Sequence, residues 1–131
     1  MNETIHPSAV IGKCCNISES AIIESDCRVG DNVRVAMNTL LCPGAVVEDN
    51  VYIGYNVVLL DDDHMKGAHE PPTIKKGARI GHGSVICQGV TIGEKALVGV
   101  GSLVNCDVPA GEMWFGRPAR RIRRVPKDEM K

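Results

Sequence analysis

Aromatic side chains are nearly absent from this 131-residue chain, which has one Trp, one Phe and two Tyr. Globular cores usually take much of their bulk from such rings, so a thin interior filled by similar-sized aliphatic side chains is expected. An excess of positive charge is missing too. A formal net charge of -1 and a pI near 6.4 give no basic surface for nucleic acid or for a polybasic membrane contact. No apolar run is long enough to span a bilayer, and Met1 to Pro7 lack the basic-then-apolar order of a secretory leader. A soluble cytoplasmic protein made of a single domain, residues 1–131, is the expectation. The six cysteines include no CxxC pair, which argues for free thiols over a disulfide framework.

What the chain does have is a repeat. Every sixth residue is aliphatic: Ile5, Ile11, Ile17, Ile23, Val29, Val35, Leu41, Val47, Ile53 and Leu59, then Ile74, Ile80, Ile86, Ile92, Val98 and Val104. Four positions after each, the residue is mostly small or β-branched, as at Ala21, Cys27, Ala45, Ala78 and Ala96. Glycine often follows the aliphatic directly, at Gly12, Gly30, Gly54, Gly81, Gly93 and Gly99, where it allows close backbone approach and unusual dihedrals. A period of six is neither helical nor simply alternating. It fits a short strand and a turn, one side of a prism per hexad, with three sides making a coil of roughly eighteen residues. Coils stacked at the ~4.8 Å spacing of paired strands would give about five turns and a column of roughly 25 Å. The expected fold class is all-β: a parallel β-helix over residues 5–109, with a loop at 60–73 and a C-terminal cap and basic tail at 110–131.

The [LIV]-G-x-x-[STAV]-x hexads resemble those of the hexapeptide-repeat acyltransferase superfamily. The likeness is sharpest in "IKKGARIGHGSVICQGVTIGEKALVGVGSLVNCDVPAGEMWFGRPARRI", residues 74–122, whose Asp107-Val108-Pro109 and Gly116-Arg117-Pro118-Ala119-Arg120 are similar to the family's close. This resemblance implies a left-handed helix, a homotrimer, and a donor site at each subunit interface. Members transfer acetyl groups, hydrate carbon dioxide or act as scaffolds, so function must come from the site.

The one break in the repeat is "LLDDDHMKGAHEPPTIKK", residues 59–76. Loops leaving a solenoid often carry function. This one holds three consecutive acids, two histidines and a stiff Pro71-Pro72 return. His64 is the expected general base, since imidazole can take a proton from an attacking amine or hydroxyl near neutral pH, and Asp62 or Asp63 could orient the ring. The stretch ending in His64 also resembles the loop of hexapeptide sugar acetyltransferases. Asp61, Asp63 and His69 are expected to contact the acceptor. The acidic run lacks the alternating ligands and glycine turn of a cation site, and no metal is expected.

An acyl-coenzyme A donor needs amides, an apolar groove and cations. The glycine-bearing turns at Gly81, Gly83, Gly99 and Gly101 are expected to leave backbone amides open beside Ser84 and Ser102. Arg117, Arg120 and Arg121 would meet the phosphates through bidentate bonds, with Pro118 near the adenine. Trp114 and Phe115 would plug the open end of the column. The expected activity is acetyl-CoA-dependent acetylation of an amine or hydroxyl of a sugar, most like a nucleotide-linked amino sugar of polysaccharide synthesis, without a covalent intermediate. Two alternatives stand beside it. "IGHGSV" around His82 resembles the zinc segment of γ-class carbonic anhydrases, although Cys87 and Gln88 follow where a histidine would be needed. A non-catalytic scaffold is the other.

Overall fold

A computed structural model describes residues 4–62 and 69–129. The hexads become two-residue strands: β1 (Val10–Ile11), β2 (Asn16–Ile17), β3 (Ile22–Ile23), β4 (Arg28–Val29), β5 (Arg34–Val35), β6 (Leu40–Leu41), β7 (Val46–Val47) and β8 (Tyr52–Ile53). They continue as β9 (Val58–Leu59), β10 (Thr73–Ile74), β11 (Arg79–Ile80), β12 (Val85–Ile86), β13 (Thr91–Ile92), β14 (Leu97–Val98) and β15 (Leu103–Val104). A closing hairpin follows, β16 (Glu112–Gly116) and β17 (Ala119–Arg124).

Each strand pairs in parallel with the strand three along, so three ladders form the sides of a prism. Face one stacks β3, β6, β9, β12 and β15; face two stacks β1, β4, β7, β10 and β13; face three stacks β2, β5, β8, β11 and β14. Register follows the repeat, with Arg34 opposite Tyr52 and Tyr52 opposite Arg79. The second residue of each strand points inward, and Leu41, Ile53, Leu59, Ile74, Ile80, Ile86, Ile92, Val98 and Val104 are fully buried. Each coil therefore buries its aliphatics only against its neighbours.

Turn chemistry explains the period. The third residue after the inward aliphatic takes a left-handed conformation, at Asn32 (φ 58), Asn38 (φ 61), Asn50 (φ 61), Asn56 (φ 55), Gly77 (φ 73), Gly83 (φ 72) and Gly101 (φ 72). Asparagine and glycine tolerate that region best. The glycine directly after the aliphatic meets a different need. A Cβ on Gly81 would lie 2.7 Å from the Val100 amide nitrogen in the next coil, so only glycine lets the coils close up at this corner. The two glycine positions thus divide the roles the sequence suggested for one.

The column is taller than the hexad count implies. Val108 bridges Ile92, Ile5 bridges Ile23, and β16 stacks on β14, giving about six turns where five were expected. The C-terminal cap has its own secondary structure. Residues 112–124 form an antiparallel hairpin that extends face three. Trp114 packs against the core and closes the end of the column, whereas Phe115 stays 49% exposed. Among the described residues no helix is long and apolar enough to cross a membrane.

Candidate active site

The chain leaves the column between Leu59 on face one and Thr73 on face two, so the loop rises from the edge that joins those faces. Its two ends run side by side as a stalk. The Glu70 amide donates to the Asp61 carbonyl at 2.5 Å, and the Gly89 amide donates to the Glu70 carbonyl at 2.6 Å. His69 Nδ1 lies 3.0 Å from Asp61 Oδ2. Asp61 is largely covered, its side chain 24% exposed, and His69 is open at 58%. A carboxylate only accepts, so Nδ1 is the proton-bearing nitrogen of this contact, while Nε2 lies toward Gly44, where an added Cβ would sit 3.4 Å from it. An imidazole held by a carboxylate is the pairing that a general base requires. The sequence reading gave that partnership to His64 and Asp62. His64 and Asp63 lie outside the described residues, while Asp62, at the stalk, is exposed. Beneath the stalk, burial and then the Asp61 charge push the Cys42 thiol up to about 12.

The glycine turns lie on another edge, where face three passes into face one. There the expectation of open amides does not hold. Gly81 donates to the Val98 carbonyl, Gly83 to Tyr55, Gly99 to Trp114 and Gly101 to His82, at 2.7–2.8 Å. A solenoid uses almost every backbone amide to join one coil to the next. Ser84 and Ser102 are wholly buried, and both hydroxyls donate inward to the Gly99 carbonyl, at 3.0 and 2.7 Å. They tie the corner together and present nothing to solvent.

What this edge does offer is shape and cations. The hairpin tip rests on it: Gly116 N donates to Ser102 Oγ at 3.2 Å, and Arg117 Nη1 donates to the Gly101 carbonyl at 2.9 Å. Pro118 and Arg120 are exposed beside that contact. Arg121 is committed elsewhere, its Nε 3.2 Å from Glu112 Oε2. Successive residues of a strand face opposite ways, so Arg120 and Arg121 cannot both serve one ligand from β17. Met37, Tyr55, Val100 and Phe115, all exposed, run along the same edge as an apolar rail. Single residues in separate hexads make up that rail, and reading the outward positions coil by coil would have found it.

His82 sits in the rail with its ring stacked on Tyr55, centroids 4.7 Å apart. Its Nδ1 accepts the Tyr55 amide at 2.8 Å. Among the described residues no three His, Cys, Asp or Glu come together as a metal-binding group.

Comparison with known proteins fits this architecture. Residues 26–61 match the family described as bacterial transferase hexapeptide (six repeats). A putative serine acetyltransferase of Schizosaccharomyces pombe is 35% identical over 76% of this chain and 37% of its own length. The mitochondrial gamma carbonic anhydrase 2 of Arabidopsis thaliana is 29% identical over 92% of this chain and 45% of its own. This chain thus spans less than half the length of both. A hexapeptide-repeat containing acetyltransferase of Vibrio cholerae superposes with a TM-score of 0.81 at 27% identity, covering 90% of this chain and 74% of that one. Sixfold aliphatic period, three parallel ladders and these matches agree on a hexapeptide-repeat β-helix similar to that of the acetyltransferases named here.

Proposed function

We propose that the protein is an acetyl-CoA-dependent acyltransferase acting on an amino group, or a hydroxyl, of a sugar, with nucleotide-linked amino sugars the first acceptors to test. The observation that carries this reading is the Asp61–His69 pair at the foot of the one loop that leaves the column. In the reaction the acceptor nitrogen attacks the thioester carbonyl carbon. The new C–N bond forms, the C–S bond breaks, and Nε2 of the loop histidine takes the proton lost by nitrogen. Coenzyme A leaves as the thiolate and is then protonated. Direct attack needs no cysteine, consistent with burial of Cys27 and Cys42.

The similarity to acetyltransferases supports the donor. Arg117 and Arg120 supply cations for its phosphates, beside the apolar rail that suits its arm.

Self-association completes the reading. Face one lies between the loop edge and the glycine edge, and its outward residues are Ile22, Leu40, Val58, Val85 and Leu103. A continuous aliphatic face on a soluble column favours contact with a second copy. A closed homotrimer would bring the loop of one column to the glycine edge of the next, which one column cannot do across its own face.

The deciding experiment measures acetyl transfer to amino-sugar nucleotides, with donor affinity by calorimetry, for His69→Ala and His64→Ala. His69→Ala should lower kcat by about 10²–10⁴ with donor affinity kept. A full loss in His64→Ala alone would move the base to that residue. No donor binding, together with stoichiometric zinc, would replace the transferase reading by the carbonic anhydrase one.

A further inference from the structure

Away from both edges, the outer surface of face three carries arginine, tyrosine and arginine on three successive rungs. Arg34, Tyr52 and Arg79 are direct ladder neighbours, so the two arginine Cα atoms stand roughly 10 Å apart. The Arg34 guanidinium lies over the Tyr52 ring, 5.2 Å from its centroid. That contact holds the fork in place and leaves its N–H edges available. Arg79 is half-buried, and its Nη2 is shielded from solvent with no hydrogen-bond partner. A charged donor withdrawn from water without an acceptor is costly, and the residue that carries it lines an open groove of about 460 Å³.

The lining of that groove names its ligand. Besides the arginines and Tyr52 it includes Asn32, Asn50 and Gly77, so the polar groups are cations and amides with no carboxylate. The acids of the same turns face the other way: Glu48 and Asp49 line a separate groove on face two. Asp31 and Asp49 are further held by accepting the backbone amides of Lys13 and Asp31, each at 2.8 Å. Neither Arg34 nor Arg79 has an ion-pair partner among the described residues.

We propose that this groove is a binding site for a small oxyanion, of the size of a diphosphate, held between Arg34 and Arg79 with the two asparagine amides as further donors. Its lining includes no residue of the loop or of the hairpin, so it stands independently of the acyltransferase reading. Two guanidinium forks separated by two rungs suit two linked phosphoryl groups better than one.

The test titrates inorganic pyrophosphate into the full chain by calorimetry at low salt, for the wild type, Arg34→Gln and Arg120→Gln. Arg34 is exposed, so its substitution leaves the column intact, as the thermal midpoint will verify; Arg79→Gln is the second variant. The expected result is saturable binding weakened at least tenfold in Arg34→Gln and Arg79→Gln and kept in Arg120→Gln. No saturable binding by the wild type overturns the proposal. Loss confined to Arg120→Gln overturns it as well, by assigning the anion to the hairpin.

Discussion

Two edges of the same prism solve opposite problems. Where face three passes into face one, the upper coils turn on Gly54, Gly81 and Gly99, the last two with buried Ser84 and Ser102, and each glycine amide is spent on the neighbouring coil. Where face one passes into face two, the chain departs once, and the residues flanking the departure hold an exposed imidazole against a covered carboxylate. The first edge gains its rigidity by using up its backbone polar groups, so it can offer a ligand only what projects from it: Met37, Tyr55, Val100 and the hairpin tip. The second edge gives up one coil's continuity and gains side-chain chemistry. In a column this narrow no enclosed cavity can hold a substrate, so a ligand must meet the outside of the prism.

The two regions should therefore fail in different ways when altered. Ile80→Ala removes a fully buried side chain from the glycine-bearing half of the column. A cost of about 2–5 kcal/mol is expected, read as a fall in the urea midpoint, because the coils above and below cannot collapse into the gap without breaking register. His69→Ala should leave that midpoint within experimental error of wild type, since the ring is mostly in water. If the histidine variant proves the less stable of the two, the loop is a structural brace and the division between the edges is wrong.

Much of this was legible in the sequence alone, for a physical reason. The sixteen aliphatic positions needed no tertiary information, because in a solenoid the neighbour of a residue is fixed by the repeat itself. The position of the loop followed from the same count. The direction of polar groups did not. Ser84 and Ser102 look like open donors in a sequence, yet the small-residue position of a hexad is the inside of a corner, where a hydroxyl can only reach the next carbonyl. The glycine amides misled for the same reason, since flexibility at a turn says nothing about whether its N–H is already bonded. The hairpin within the cap was not legible, because its antiparallel pairing of residues 112–116 with 119–124 leaves no mark in the sixfold repeat. The His69 partnership was missed because its acid, Asp61, lies beside it in space but eight residues away in sequence.

The cysteines sharpen the comparison further. Cys14 and Cys106 are exposed, while Cys27 and Cys42 are buried in the column. With its thiol pushed from an ordinary value of 9.0 to about 12 by burial first and the Asp61 charge second, Cys42 should hold about a thousandfold less thiolate than an ordinary thiol at pH 8. Alkylation followed by mass spectrometry should label Cys14 and Cys106 first and reach Cys42 only on unfolding. Asp61→Asn should remove the electrostatic part of that protection and leave the larger burial part. Fast labelling of Cys42 in the native protein would mean that the stalk opens and that the loop edge is looser than its hydrogen bonds imply.

The smallest effect belongs to the hairpin that closes the glycine edge. Glu112 accepts the Trp114 indole N–H at 3.0 Å and pairs with Arg121. The indole bond first, and the arginine after it, hold its carboxyl below its ordinary value of 4.5. A folded-state pKa lower than the unfolded one contributes stability that is present above about pH 4.5 and lost as pH falls through the folded value. The fluorescence of Trp114, the chain's single tryptophan, should therefore change as the pH is taken below that point, before the column unfolds. In Glu112→Gln the step should vanish, because the amide still accepts the indole N–H but has no proton to gain. An acid step that survives the substitution would show that Trp114 reports on the column itself, and the hairpin would then be an integral last coil of the column instead of a cap with its own local stability.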